Sequence, residues 1–102
     1  MFIHTVLFQI SPKFVRAYLR DCKMWAKEAK IAPGFISYKT LKRINDKNQF
    51  ASVYCWKNKR HHFNFMKANH EELVKKSKAK VLVLGYFNFD AIDAVKSDKS
   101  DK

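Results

Sequence analysis

The chain has 102 residues, the length of a single domain, and 47% of them are hydrophobic, which excludes a chain disordered over most of its length. No apolar run approaches the roughly 20 residues of a membrane-spanning helix, and the start Met1–Val6 shows no signal-peptide pattern. The formal net charge is +12, with +13 carried by residues 1–89 and −1 by residues 90–102. Such a balance attracts polyanions over roughly a Debye length, but the lysines are spread along the whole chain, which equally describes a solvated surface.

In chain order, Phe2 to Ile10 is β-branched and aromatic with little polar interruption, which predicts a strand covered on both faces. Ser11-Pro12 predicts a serine-capped helix start. From Lys13 to Ile31, Phe14, Tyr18, Cys22, Trp25 and Ala29 recur at three- and four-residue steps, the stripe of an amphipathic helix. Ala32-Pro33-Gly34 ends it. Phe35–Ile44 and Gln49–Trp56 read as a hairpin joined by Asn45-Asp46-Lys47-Asn48.

Asn58 is placed to cap a second helix through His62, Phe63, Phe65 and Met66, with a brief break at 69–72 before Leu73 and Val74. Lys80–Phe89 is a fourth strand, apolar on both faces, and Asp90–Val95 forms one turn. The domain closes at 95, and the polar repeat at 96–102 is expected to be a disordered tail.

The order β-α-β-β-α-β is the ferredoxin-like α+β arrangement, a four-stranded antiparallel sheet with both helices on one side. Two helices cover one sheet face only. The bare face therefore carries one parity of the first strand, either Phe2, Val6 and Phe8 or Ile3 and Leu7, among several hundred Å² of apolar surface in all. At about 25 cal/mol per Å², covering it is worth several kcal/mol, so a homodimer packed sheet on sheet into an α+β barrel is expected.

Pro33-Gly34-Phe35 after a Trp-containing helix, a strand ending in Trp56-Lys57-Asn58-Lys59, and the aromatics and His70 beyond it resemble the antibiotic biosynthesis monooxygenase (ABM) domain. Ile3-His4-Thr5-Val6-Leu7-Phe8 also resembles the related stress-responsive dimeric barrel proteins. The resemblance, over residues 2–89, implies a dimeric α+β barrel. It also implies, in some members, oxygenation of a small aromatic or polycyclic substrate without metal or flavin, in a pocket between helices and sheet. The haem-degrading branch has an Asn in strand one, a Trp in helix two and a His further along. This chain has no such Asn, Phe65 in place of the Trp, and Lys75 near the place of that His.

Among the chemical groups, His70 is the candidate base, following Asn69 where the family's pocket often has a polar residue. Its structural alternative is a helix-end histidine capping carbonyls. His4 is a second candidate catalytic residue, or a half-buried strand histidine. Phe8, Trp25, Tyr54, Phe65 and Asn69 are candidate substrate-binding residues, or core. Adjacent His61 and His62 point about 100° apart on a helix, and no metal-ligand motif occurs, so neither a metal nor another cofactor is expected. Cys22 and Cys55 sit in apolar patterns and are expected as buried, reduced thiols of a cytoplasmic protein.

The alternatives are a non-catalytic ligand-binding or stress-related dimeric barrel, and an RNA-recognition module. Gln49-Phe50-Ala51-Ser52-Val53-Tyr54 resembles that module's third strand, but Gln49 replaces its glycine and Ser52 its second stacking aromatic. Nucleic acid is therefore not an expected partner.

Overall fold

The computed structural model describes residues 1–95, and the tail expected at 96–102 lies outside the described residues. Strand β1 (Phe2–Gln9) leads through a short 3-10 turn (Pro12–Phe14) into helix α1 (Val15–Lys30). Strands β2 (Phe35–Lys42) and β3 (Gln49–Trp56), helix α2 (Lys59–Lys76) and strand β4 (Leu82–Asp90) follow. The strands form one antiparallel sheet in the order β2-β3-β1-β4. This is the expected ferredoxin-like α+β fold.

Local chemistry accounts for the boundaries, with four corrections to the sequence reading. Ser11 is not a side-chain cap. The tighter turn gives the Phe14 N–H to the Ser11 carbonyl at 2.8 Å, and the hydroxyl makes no cap bond. Asn58 does cap α2, its Oδ1 accepting from His61 N at 3.1 Å. The expected break at 69–72 does not occur, and α2 is continuous to Lys76. Asn69 turns its amide back onto the Phe65 carbonyl (3.1 Å) instead of competing for the backbone, and Ser77 closes the helix onto Leu73. Residues 91–95 form no turn of helix; Ala91 N bonds Met1 O at 2.9 Å and extends the β1–β4 ladder's end. Strand β4 begins at Leu82, not at the expected Lys80, and the helices lie over the other three strands.

Gly34 sits at φ +83°, in the left-handed region, and a Cβ there would lie 2.1 Å from His61 Cγ. The glycine thus meets both requirements of the α1–β2 corner, the turn and the close approach of α2.

Strand alternation divides the sheet. Phe2, His4 and Val6 of β1, with Phe50, Ser52, Tyr54 and Trp56 of β3, are buried beneath the helices. They form two core clusters, one around Trp56, Phe65 and Leu73, the other around Ile10, Tyr18, Cys22 and Phe50. The opposite face carries Ile3, Leu7, Ala51 and Val53, with Leu41, Phe87 and Phe89 between 46% and 55% exposed. Of the two parities allowed by the sequence, Ile3 and Leu7 occupy the bare face. Cys22 is buried as expected, whereas Cys55 is only half-buried because its register position places it on that same face.

Candidate functional site

Between the helices and the sheet lies a cavity of about 380 Å³. The space is left because α1 and α2 rest on β2, β3 and β1 while β4 stands clear of them. The antiparallel register stacks its wall in layers. His4 is flanked by Tyr54 and Asn88 in one layer, Val6 by Ser52 and Tyr86 in the next, and Phe8 by Phe50 and Val83 in the third.

The first layer is the basic end. His4 Nδ1 donates to Asn88 Oδ1 at 2.6 Å, an arrangement that fixes the ring's orientation and turns Nε2 away from Asn88. The His62 ring packs on it, with centroids 4.3 Å apart. Burial, and secondarily the neighbouring His4, pushes the His62 pKa down to about 4, so that His62 is a neutral imidazole at pH 7. Trp56, fully buried, lies against Phe35, His62 and Phe65 at 5.7, 6.3 and 5.3 Å, and its Nε1 has no hydrogen-bond acceptor among the described residues.

The second layer is a chain of hydroxyls. Tyr18 Oη and Ser52 Oγ are 2.9 Å apart, Ser52 Oγ and Tyr38 Oη 3.2 Å, and Tyr38 Oη and Thr40 Oγ1 2.7 Å. Burial holds the pKa of Tyr18, Tyr38 and Tyr54 well above the ordinary phenol value, so these phenols stay protonated. Their chemistry is to donate hydrogen bonds, not to act as bases.

The remaining wall is held by Asp21. Its buried carboxylate accepts from Lys78 N at 2.9 and 3.1 Å and from Ala79 N at 2.8 Å, pinning the α2–β4 connection to α1. Trp25 makes a second clip, Nε1 donating to Ser77 Oγ at 3.0 Å.

Of the residues singled out from sequence, His4, His70, Phe8, Trp25, Tyr54 and Phe65 all line this cavity. Asn69 does not; it borders a smaller recess with Pro33 and His61, its amide tied to the helix backbone. His70 is mid-helix, not at a helix end, so the capping alternative is excluded; its ring meets the edge of Trp25 at 5.9 Å. The indole N–H of Trp25 is already committed to Ser77, leaving its ring as the cavity surface.

Sequence reasoning passed over His62, Asn88, Tyr18, Tyr38, Ser52 and Asp21. His62 was detectable, because it shares the α2 stripe with Phe65, Met66 and Leu73. Tyr18 likewise lies on the α1 stripe, and the remaining four signal no site role locally. Asn88 lies 84 residues from His4, and Ser52 lies 34 from Tyr18.

No protein-family model matches the sequence, and no curated protein matches it significantly. Solved structures do. One from Deinococcus radiodurans, assigned as an antibiotic biosynthesis monooxygenase, superposes at a TM-score of 0.79 over 95% of this chain and 98% of its own, with 14% identity. Another with that assignment, from Nitrosomonas europaea, gives 0.70 over 91% and 100%, at 12% identity. SnoaB of Streptomyces nogalater, a cofactor-independent oxygenase solved as a point variant, gives 0.69 over 94% and 97%, at 11% identity. The chain is thus a ferredoxin-like α+β protein with a cavity under its helices. More narrowly, its fold is the one seen in antibiotic biosynthesis monooxygenase structures.

Proposed function

We propose that the protein is a homodimeric, cofactor-independent monooxygenase acting on a small aromatic or polycyclic substrate in the helix–sheet cavity. The observation that carries this reading is the cavity itself. A helix–sheet interface serving only as a core would be filled by Trp25, Phe65 and their neighbours, as buried space normally is. Instead about 380 Å³ remains, lined mainly by aromatic and aliphatic side chains with three histidines among them.

The chemistry follows from those groups. An imidazole, that of His4 with His70 or His62 beside the substrate, removes a proton from an acidic ring carbon. The resulting carbanion gives its electrons to O2, forming a C–O bond and, after proton return from the imidazolium, a hydroperoxide. Loss of water from a former CH2 carbon leaves a carbonyl. One oxygen atom ends in product and the other in water, with the substrate itself as reductant. Phe8, Trp25, Tyr54 and Phe65 supply the apolar walls.

The dimer belongs to the same proposal. Ile3, Leu7, Leu41, Val53, Phe87 and Phe89 share the face that the helices leave bare, and a two-fold partner covers this apolar surface with the same face. We place the protein in the cytoplasm, where Cys22 and Cys55 stay reduced; no helix among the described residues is long and apolar enough to cross a membrane.

Oxygen uptake with anthrone, a tricyclic ketone with an acidic CH2, tests the activity. The expected result is one O2 consumed per anthraquinone formed, faster than without protein, with one labelled atom retained from 18O2. Anthrone binding with no acceleration of uptake would refute the oxygenase and leave the alternative of a non-catalytic ligand-binding barrel.

A further inference from the structure

Along the sequence the lysines and arginines are scattered, but helix α1 gathers five of them. Arg16, Arg20, Lys23, Lys27 and Lys30 recur at steps of four, three, four and three residues, which places them within an arc of about 80° on one side of the helix. The row runs about 21 Å along the helix axis. All five are exposed, and the only other exposed residue of α1 is Leu19.

Nothing nearby neutralises this row. The two acids of α1, Asp21 and Glu28, stand about 120–140° round the helix from Arg16. Asp21 is buried and bonded to the backbone of residues 78 and 79, and Glu28 borders the smaller recess with His61. The one ion pair among the described residues, Lys76 with Glu72, belongs to α2.

Neither folding nor the cavity accounts for the arrangement. Like charges three or four residues apart on a helix repel, and the row contains four such neighbouring pairs. Lys27 and Lys30 complement the negative end of the helix dipole, but Arg16 sits in the first turn, where a cation opposes it. None of the five lines the cavity or the smaller recess.

The partner that fits is a plane of negative charge. Single-stranded nucleic acid is held in a groove with aromatic platforms, and a duplex is read by side chains that hydrogen-bond base edges. The exposed side of α1 is a convex helix surface with neither an aromatic ring nor an amide or hydroxyl side chain. Lipid headgroups require only cations facing one way and, at the margin, apolar side chains that sink among them. Leu19 and Ile31, 42% and 79% exposed, stand at the two margins of the row, about 60° either way from Arg16.

We infer that the outer face of α1 docks on the anionic surface of a membrane, with its five cations over the headgroups of acidic phospholipids and Leu19 and Ile31 at the interface. The inference stands on the helix alone and is independent of any reaction in the cavity.

The test is co-sedimentation of the full chain with vesicles of phosphatidylcholine containing one third phosphatidylserine, against vesicles of phosphatidylcholine alone. At about fivefold per cation, the acidic vesicles bind about 1,000-fold tighter in low salt. That preference collapses in about 1 M salt, where the Debye length is about 3 Å. Arg20→Gln, Lys23→Gln and Lys27→Gln together weaken binding to acidic vesicles about 100-fold. Lys67→Gln, Lys75→Gln and Lys76→Gln, which remove the same charge from α2, weaken it by about threefold at most, because they lie off the docking face. The α1 variant melts no lower than the parent, since glutamine keeps the helix propensity and the like-charge repulsion is gone, so lost binding is not lost folding. No preference for acidic vesicles, equal losses from the α1 and α2 variants, or tighter binding to a single- or double-stranded oligonucleotide than to acidic vesicles at the same salt overturns the inference.

Discussion

Replacing Asp21 by alanine separates a structural clip from the cavity chemistry around it. The carboxylate receives two backbone N–H groups, with Lys78 N reaching both oxygens and Ala79 N one. Hydrogen bonds to a charged group contribute about 1.5–3 kcal/mol each. Lys78 is exposed and Ala79 half-buried, so water reaches the freed donors and the low end applies. The expected loss is about 3 kcal/mol for Asp21→Ala, and about half of that for Asp21→Asn, which keeps one acceptor oxygen. In a domain of this size that lowers Tm by about 12–24 °C. Urea unfolding at one fixed protein concentration measures it, because a dimer's apparent stability depends on concentration. Amide exchange localises it, with Lys78 and Ala79 exchanging by local opening at nearly unprotected rates while mid-β1 amides speed up only by the roughly 100-fold of the global change. A loss under 1 kcal/mol, or exchange at Lys78 and Ala79 no faster than the global change, would refute the clip.

Three further outcomes follow from the same structure. His62, 8% exposed, titrates near 4 in the fold and near 6.5 when unfolded, so the unfolded chain binds the extra proton between those values and stability falls as pH drops through that window. The loss is about 3 kcal/mol at full extent, and urea midpoints at pH 7.0 and 4.5 should converge by most of that amount in His62→Gln; parallel curves for parent and variant would contradict it. Gly34→Ala meets both the His61 ring and the positive φ, and should cost about 2–4 kcal/mol. Adding His61→Ala should recover the steric part and leave about 1–2 kcal/mol of backbone strain, which thermal melts of the single and double variants resolve. Leu7→Lys with Val53→Lys places like charges face to face on the bare side of the sheet and should give monomers in sedimentation at micromolar protein, where the parent sediments as a dimer.

How far the site could be read from sequence depended on the range of the signals. Phe8, Trp25, Tyr54 and Phe65 are apolar residues at strand or helix spacing, and facing the interior is enough to bring them to a cavity there. His70 was chosen as the neighbour of Asn69, which does not reach the cavity, although the stripe position of His70 on α2 still brings it to the wall. Asn69 was misplaced because one residue's shift on a helix is 100°, enough to move it from the cavity to the neighbouring recess.

By itself the sequence determined the element order, the helix faces, the Asn58 cap and the corner at Gly34, because periodicity, capping and turn geometry act within a few residues. Which parity of β1 faces the helices was decided only when α1 and α2 docked, because both parities of that strand are apolar. The pairing of His4 with Asn88 and His62, the hydroxyl chain from Tyr18 to Thr40, and the hold of Asp21 on residues 78–79 were likewise decided by tertiary structure. Each joins side chains from different elements, and antiparallel register together with helix placement, not local spacing, sets where they meet.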